Sequence, residues 1–242
     1  MGIRVDKVKY LDVLKKIEEF ILSKKPHMLA IPNVEICMLA RVYPEFKNIL
    51  NSADLLMPDG VGIYLASKIL GDPLPERTTG TDLMYVISDF ASKKGFSMYL
   101  LGAKPGIAEK AKRNLVRKYP NLKIIGIHHG YFDKDEEKTL IEEIKTLKPN
   151  ILVVCLGMYK QEKWIKDNME NLGVPVCFGN GGALDFVSKC TRRSPVWMQK
   201  MGLEWLYRLF QEPWRIKRQI VLPKFVLLVL KERIFRRRRW LI

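Results

Sequence analysis

The chain has 242 residues, of which 48% are hydrophobic and 28% charged, and a formal net charge of +16. This composition excludes a disordered or collagen-like chain, and the length suits one large α/β domain, or a domain of about 190 residues with an appendage. Cys37, Cys155, Cys177 and Cys190 form no CxxC pair and have no histidine close by, which argues against a zinc centre and a disulfide framework.

The first ten residues, MGIRVDKVKY, hold no apolar signal core, so a cytosolic, reducing location is expected. Helical patterning near 8–24 leads into an apolar run at 27–31 with strand character. Next come a helix over 34–51, a strand at 54–57, and helices near 61–70 and 81–94. Strands at 97–101, 123–127, 151–155 and 174–178 then alternate with helices near 105–118, 134–147 and 159–171. Gly95 and Gly173 fall where helices should stop. This alternation predicts an α/β fold with a mostly parallel sheet and helices on both faces.

The pattern breaks at Thr191-Arg192-Arg193-Ser194-Pro195, giving a core over 1–192 and a helical appendage over 193–242. From Arg192 onward there are fourteen Lys and Arg against three acids, a net +11, together with Trp197, Trp205, Trp214 and Trp240. The apolar stretches QIVLPKFVLLVL and RIFRRRRWLI suit an anionic membrane surface better than nucleic acid. They fall short of the roughly 20 apolar residues that span a bilayer. Packing on the chain's own core, or contact with a second copy, stays open as the alternative.

In a parallel sheet, ligands bind at the carboxyl ends of the strands. The residues found there are Asn33, Asp59-Gly60, Gly102, His128-His129-Gly130, Gly157 to Glu162 and Gly179 to Asp185. Small residues mixed with acids and amides suit a sugar nucleotide, because glycines let backbone N–H groups approach a diphosphate. Asp59 is the sharpest candidate for catalysis or substrate binding; the competing role is capping the helix that starts at Gly60. Asp185 is a weaker candidate of the same kind. Arg208, Arg215 and Arg218, spaced by seven and three, would share one helical face and suit a diphosphate, unless Pro213 kinks that helix. A solvated, lipid-facing stripe is the other reading of these arginines.

Other chemistries lack their motifs. Gly179-Asn180-Gly181-Gly182-Ala183-Leu184 misses the last glycine of a dinucleotide fingerprint and follows a late strand, so a nicotinamide cofactor is not expected. No GxxxxGK[ST] or GxSxG occurs. Asp133-Lys134-Asp135 could hold a cation on a diphosphate, but it opens a helix beside Glu136 and Glu137, which favours capping. His128-His129 has no third ligand spaced near it. No metal and no cofactor are expected.

The blocks PDGVGIY, RTTGTDLM, LLGA, LGMYKQEKWI, GGALDF and RRSPVWMQKMGLEWLYRLFQEPWRIKRQ run in order from about residue 27 to 220. Together they resemble the WecG/TagA/CpsF family of bacterial glycosyltransferases, most closely its teichoic-acid branch. The resemblance implies a Rossmann-like core with a membrane-associated C-terminal appendage that completes the active site. It implies an inverting, metal-independent transfer from a UDP-sugar to a polyprenyl-diphosphate-linked GlcNAc at the inner face of the plasma membrane. For the teichoic-acid branch the donor is UDP-ManNAc and the acceptor group the GlcNAc 4-hydroxyl; a different UDP-sugar, of the ManNAc uronic acid or glucose type, is the alternative.

By resemblance, Asp59 corresponds to the general base and Gln161 to a glutamine near the sugar. Arg208, Arg215 and Arg218 correspond to appendage arginines, and Arg77, Asp82 and Asp185 fall in matching blocks. Asn33, Gly102, Gly157 and Gly181 complete the expected substrate-binding set. The chain departs from the family pattern at Ile31, where a hydroxyl residue is common nearby, at Tyr159, where proline is frequent, and at Asn180, where an apolar residue is frequent. These departures bear on donor specificity and leave the reaction class alone.

Overall fold

A computed structural model describes residues 2–239; Trp240, counted above in the appendage, lies outside the described residues. Six strands form one sheet in which every ladder is parallel: β1 (His27–Ala30), β2 (Leu55–Leu56), β3 (Ser97–Gly102), β4 (Lys123–His128), β5 (Ile151–Cys155) and β6 (Val176–Gly179). Their spatial order is β2-β1-β6-β5-β3-β4. The expected α/β class with helices on both faces is what forms.

The period of two along each strand divides the core. Met98 and Leu100 of β3, with Ile151 and Val153 of β5, face one side. Tyr99, Leu101, Leu152 and Val154 face the other. Both sets are buried, which is why β5 reads ILVVC without a polar residue. The first face is covered by α1 (Tyr10–Ser23), the second by α2 (Val34–Val42) and α3 (Pro44–Asn51). The expected single helix over 34–51 is therefore two. Pro44 has no N–H to donate, so it ends one helix and opens the next at its first position.

After α4 (Gly60–Ile69), α5 (Gly80–Lys94) and α6 (Ile107–Lys118) return to the first face, and α7 (Lys134–Leu147) and α8 (Lys160–Leu172) to the second. A short α9 (Ala183–Val187) follows β6 on the first face. The strand expected at 54–57 is shorter, but its pairing with β1 runs on through Asp54 N–H to Met28 and Met57 N–H to Ala30.

Beyond residue 192 no strand occurs among the described residues. The appendage comprises α10 (Val196–Met201), α11 (Glu204–Gln211), a 3₁₀ turn (Pro213–Arg215), α12 (Ile216–Gln219) and α13 (Val221–Arg239). Phe225 and Val229 of α13 bury themselves against Val34, Cys37 and Met38 of α2 and Ile63 and Ala66 of α4. Pro223 is tolerated because it falls in the first turn of α13, where no intrahelical N–H bond is lost. Among the described residues no helix is long and apolar enough to cross a membrane.

Candidate active site

Because all six strands run the same way, their carboxyl ends open on one edge of the sheet. There the core and the appendage enclose a cleft of about 1300 Å³. Of the expected site residues, Asn33, Asp59, Arg77, Gly157, Gln161, Gly181 and Asp185 line it from the core, and Arg208, Arg215 and Arg218 from the appendage.

Asp59 stands at the N-cap position of α4, yet its side chain makes no capping bond there. Its carboxylate instead accepts from the Gly80 N–H at 3.0 Å, at the start of α5. Asn33 caps α2 through Oδ1, which accepts from the Ile36 N–H at 2.9 Å, leaving its amide nitrogen to bond Asp59. Burial pushes the Asp59 carboxyl up to about 6, and the charge of Glu204 adds to this. The Gly80 N–H, Asn33 and Arg208 act in the opposite direction but do not outweigh burial. A half-buried carboxyl of that strength is suited to accept a proton near neutral pH.

Two of the three departures from the family pattern find structural reasons. Asn180 is buried, and its amide nitrogen donates to the Gly80 carbonyl at 3.1 Å, so it fixes the turn that holds Asp59. Tyr159 has φ of 68°, which the fixed ring of proline cannot adopt. Its ring packs on Tyr43 and Phe46 and its hydroxyl donates to Glu45 at 2.8 Å. Ile31 is buried at the cleft floor.

Gln161 is 2% exposed and committed to the protein at both ends of its amide. Oε1 accepts from the Gly181 N–H at 3.0 Å, and Nε2 donates to Glu162 at 2.7 Å. It thereby shapes the Gly181 turn. Glu162, buried beside it with its carboxyl pushed upward by burial, also accepts from the Tyr159 N–H. Its place next to Gln161 in YKQE was the available signal, but the sequence does not show which way a helix-start acid points.

Asp82 and Gly102 serve the scaffold. Asp82 receives two bonds from Arg193, at 2.5 and 2.9 Å, and one from the Thr79 hydroxyl at 2.8 Å. Gly102 has φ of 129°, and a side chain there would run into the Cys155 carbonyl of the neighbouring strand. Arg77 lines the cleft while donating to the Gln199 carbonyl of α10 at 2.6 Å.

The three arginines do not lie on one helix. Arg208 is on α11, Arg215 in the 3₁₀ turn and Arg218 on α12, because Pro213 ends the first segment. They still reach one cleft. Glu212, which the sequence reading passed over, accepts from both Arg208, at 3.2 Å, and Arg215. Arg208 also stacks over the Phe186 ring with its guanidinium carbon 4.8 Å from the centroid. Burial holds Arg208 below the usual arginine range. Asp185 faces this group, its carboxyl raised by burial and lowered by Arg208.

The Asp133 carboxylate caps α7, accepting from the Asp135 and Glu136 N–H groups at 2.9 Å, while Glu136 returns the bond to the Asp133 N–H. His128 bonds the His129 carbonyl through Nδ1 and packs on Phe132. Among the described residues no three His, Cys, Asp or Glu side chains are grouped as a metal site requires.

With a parallel sheet, a cleft at its strand ends, the raised Asp59 carboxyl and three arginines, the comparisons with known proteins fix the class: the protein is a glycosyltransferase. The sequence model described as "Glycosyl transferase WecG/TagA/CpsF family" matches residues 1–239. The chain is 33% identical over 224 residues to the N-acetylglucosaminyldiphosphoundecaprenol N-acetyl-beta-D-mannosaminyltransferase of Bacillus subtilis (strain 168), covering 92% of this chain and 86% of that protein. It is 31% identical over 233 residues to the Staphylococcus aureus (strain MW2) enzyme of the same name, covering 96% and 91%. The chain belongs to the WecG/TagA/CpsF family.

Proposed function

We propose that the protein moves N-acetylmannosamine from UDP-ManNAc to the 4-hydroxyl of GlcNAc on undecaprenyl diphosphate, in wall teichoic acid linkage-unit synthesis, with inversion and without a metal ion. The names of the relatives support the sugar and the acceptor. The observation that carries the mechanism is the Asp59 carboxyl, raised to about 6 at the cleft wall and held by Gly80 and Asn33. Asp59 takes the proton from the attacking hydroxyl in a single displacement at the anomeric carbon. Negative charge develops on the departing UDP, and Arg208, Arg215 and Arg218 line the cleft where they can stabilise it or the acceptor's diphosphate. A positioned base contributes about 10²–10⁴-fold.

The acceptor is a lipid, and the appendage suits a membrane surface. Phe210, Trp214 and Ile220 are 74%, 68% and 70% exposed, with Lys217 between them and Lys224 one turn beyond. We place the enzyme peripherally on the inner leaflet, where basic and apolar contacts act together. The test is UDP release from a panel of UDP-sugars, including UDP-ManNAc, its uronic acid and UDP-glucose, with a short-chain lipid-diphosphate GlcNAc acceptor. Turnover with UDP-ManNAc alone supports the reading; preference for another donor moves the protein to a different surface polysaccharide.

A further inference from the structure

Arg193 joins the core to the appendage through charge. Its Nη1 and Nη2 donate to the two carboxylate oxygens of Asp82, and its Nε donates to Glu204 at 2.9 Å. All three guanidinium nitrogens are thus engaged. The Arg193 and Glu204 side chains are only 23% and 26% exposed, while the Asp82 side chain is 42% exposed, so the Arg193–Glu204 side of the cluster is the more sheltered from water. Charge-assisted bonds in such surroundings are strong, and a missing partner is costly.

The two carboxylates belong to the parts of the site that must meet. Asp82 lies in the first turn of α5, and the same turn supplies the Gly80 N–H that holds Asp59. Glu204 opens α11, which carries Arg208 one turn later and lines the cleft. Arg77, bonded to the Gln199 carbonyl, makes a second and uncharged-acceptor tie between the same two parts.

We propose that Arg193 is a positioning residue of the transferase: by pairing with Asp82 of the core and Glu204 of the appendage at once, it locks α11 to the N-terminus of α5 and so sets Arg208 and Glu204 against Asp59. The inference rests on the reading of Asp59 as the base. The groups facing Asp59 follow from this placement. Glu204 and Arg208 face it from α11, the Gly80 N–H from α5, and Asn33 from the start of α2. Tyr10, bonded to the Thr79 N–H at 2.7 Å, stands beside the same turn.

The experiment uses full-length Arg193→Gln, Arg193→Lys, Glu204→Gln and the Arg193→Gln/Glu204→Gln double variant. Arg193→Gln should lower kcat about 10-fold or more and speed hydrogen exchange in α11, with the strand amides unchanged. Arg193→Lys, which keeps the charge but loses the fork, should recover part of kcat. The double variant should fall no further than Arg193→Gln, since both changes break one link. Glu204→Gln still accepts the Nε–H but carries no charge, so it should move the acid limb of kcat/KM to lower pH. Wild-type kcat in Arg193→Gln, unchanged exchange in α11, or fully additive losses would each overturn the proposal. If Asp59→Asn keeps full turnover, the base reading fails, while α11 exchange and the double-variant comparison still report on the clamp.

Discussion

The Asp59 carboxylate accepts its hydrogen bond from the Gly80 N–H, twenty-one residues away, and leaves the helix that begins at Gly60 uncapped. An acid in that position gives up the usual stabilising role of an N-cap, and its burial works against its own ionisation. That combination is expected of a group selected for chemistry.

Replacing Asp59 with Asn should therefore keep the fold and UDP binding while lowering kcat about 10² or more. In the wild type, kcat/KM should fall as pH drops below about 6, where the carboxyl takes up a proton. Stability should move the other way. The folded value of about 6 lies above the ordinary aspartate value of 3.8, so the ionised form burdens the folded state above pH 6 and no longer does so below about 4. Thermal unfolding should show Asp59→Asn more stable than wild type at pH 8, with the gap closing by pH 4. Equal turnover, or a gap that widens in acid, would remove Asp59 from this role.

Arg208→Lys should lower kcat/KM about 10-fold or more, because an ammonium loses both the planar stack on Phe186 and the fork that serves an oxyanion. Gly182→Ala offers an independent check. The Gly182 φ of −90° suits alanine, but the new methyl would stand 2.7 Å from a terminal nitrogen of Arg208. Activity should drop without loss of fold; full activity in both variants would deny Arg208 a part in the reaction.

Activity should persist in EDTA. Asp133→Ala should cost about 1 kcal/mol of stability through the lost α7 cap and leave turnover unchanged. Chelator-sensitive turnover restored by Mg²⁺ or Mn²⁺, and abolished by Asp133→Ala, would return that aspartate to the mechanism.

What the sequence disclosed was governed by range. Doubly buried parallel strands read as apolar runs, so β5 is placed residue for residue and β3 and β4 to within one. Site residues at strand ends, such as Asn33 and Asp59, follow from the same geometry. The split at Pro44 is a local signal that the helical periodicity on either side of it overrode. The Arg193 contact with Asp82 spans 111 positions and exists only because the appendage folds back, so no spacing rule reveals it. The same holds for Asn180 and Gly80, 100 positions apart. Glu212 sat in plain view, but a lone acid between arginines reads as charge balance until the turn at Pro213 brings both guanidinium groups to it.

Deletion from about residue 195 should leave the sheet intact, since every described strand precedes it. Two consequences follow from where the appendage packs. Arg208, Arg215 and Arg218 leave the cleft, so transfer to a lipid-linked acceptor should be lost. Phe225 and Val229 also leave the groove between α2 and α4, each giving up about 1.5–3 kcal/mol of burial and uncovering Val34, Met38 and Ile63. That apolar strip should make the truncated core self-associate, read as a concentration-dependent mass in sedimentation. Full-length protein should co-sediment with anionic vesicles and be released only in part by salt. Each Lys or Arg near the surface contributes about 1 kcal/mol that salt screens, whereas the apolar contacts of Trp197, Phe210 and Trp214 are not screened. A truncated core that binds vesicles as well as the full chain would place the membrane surface outside the appendage, and one that still transfers sugar would show the cleft complete without it.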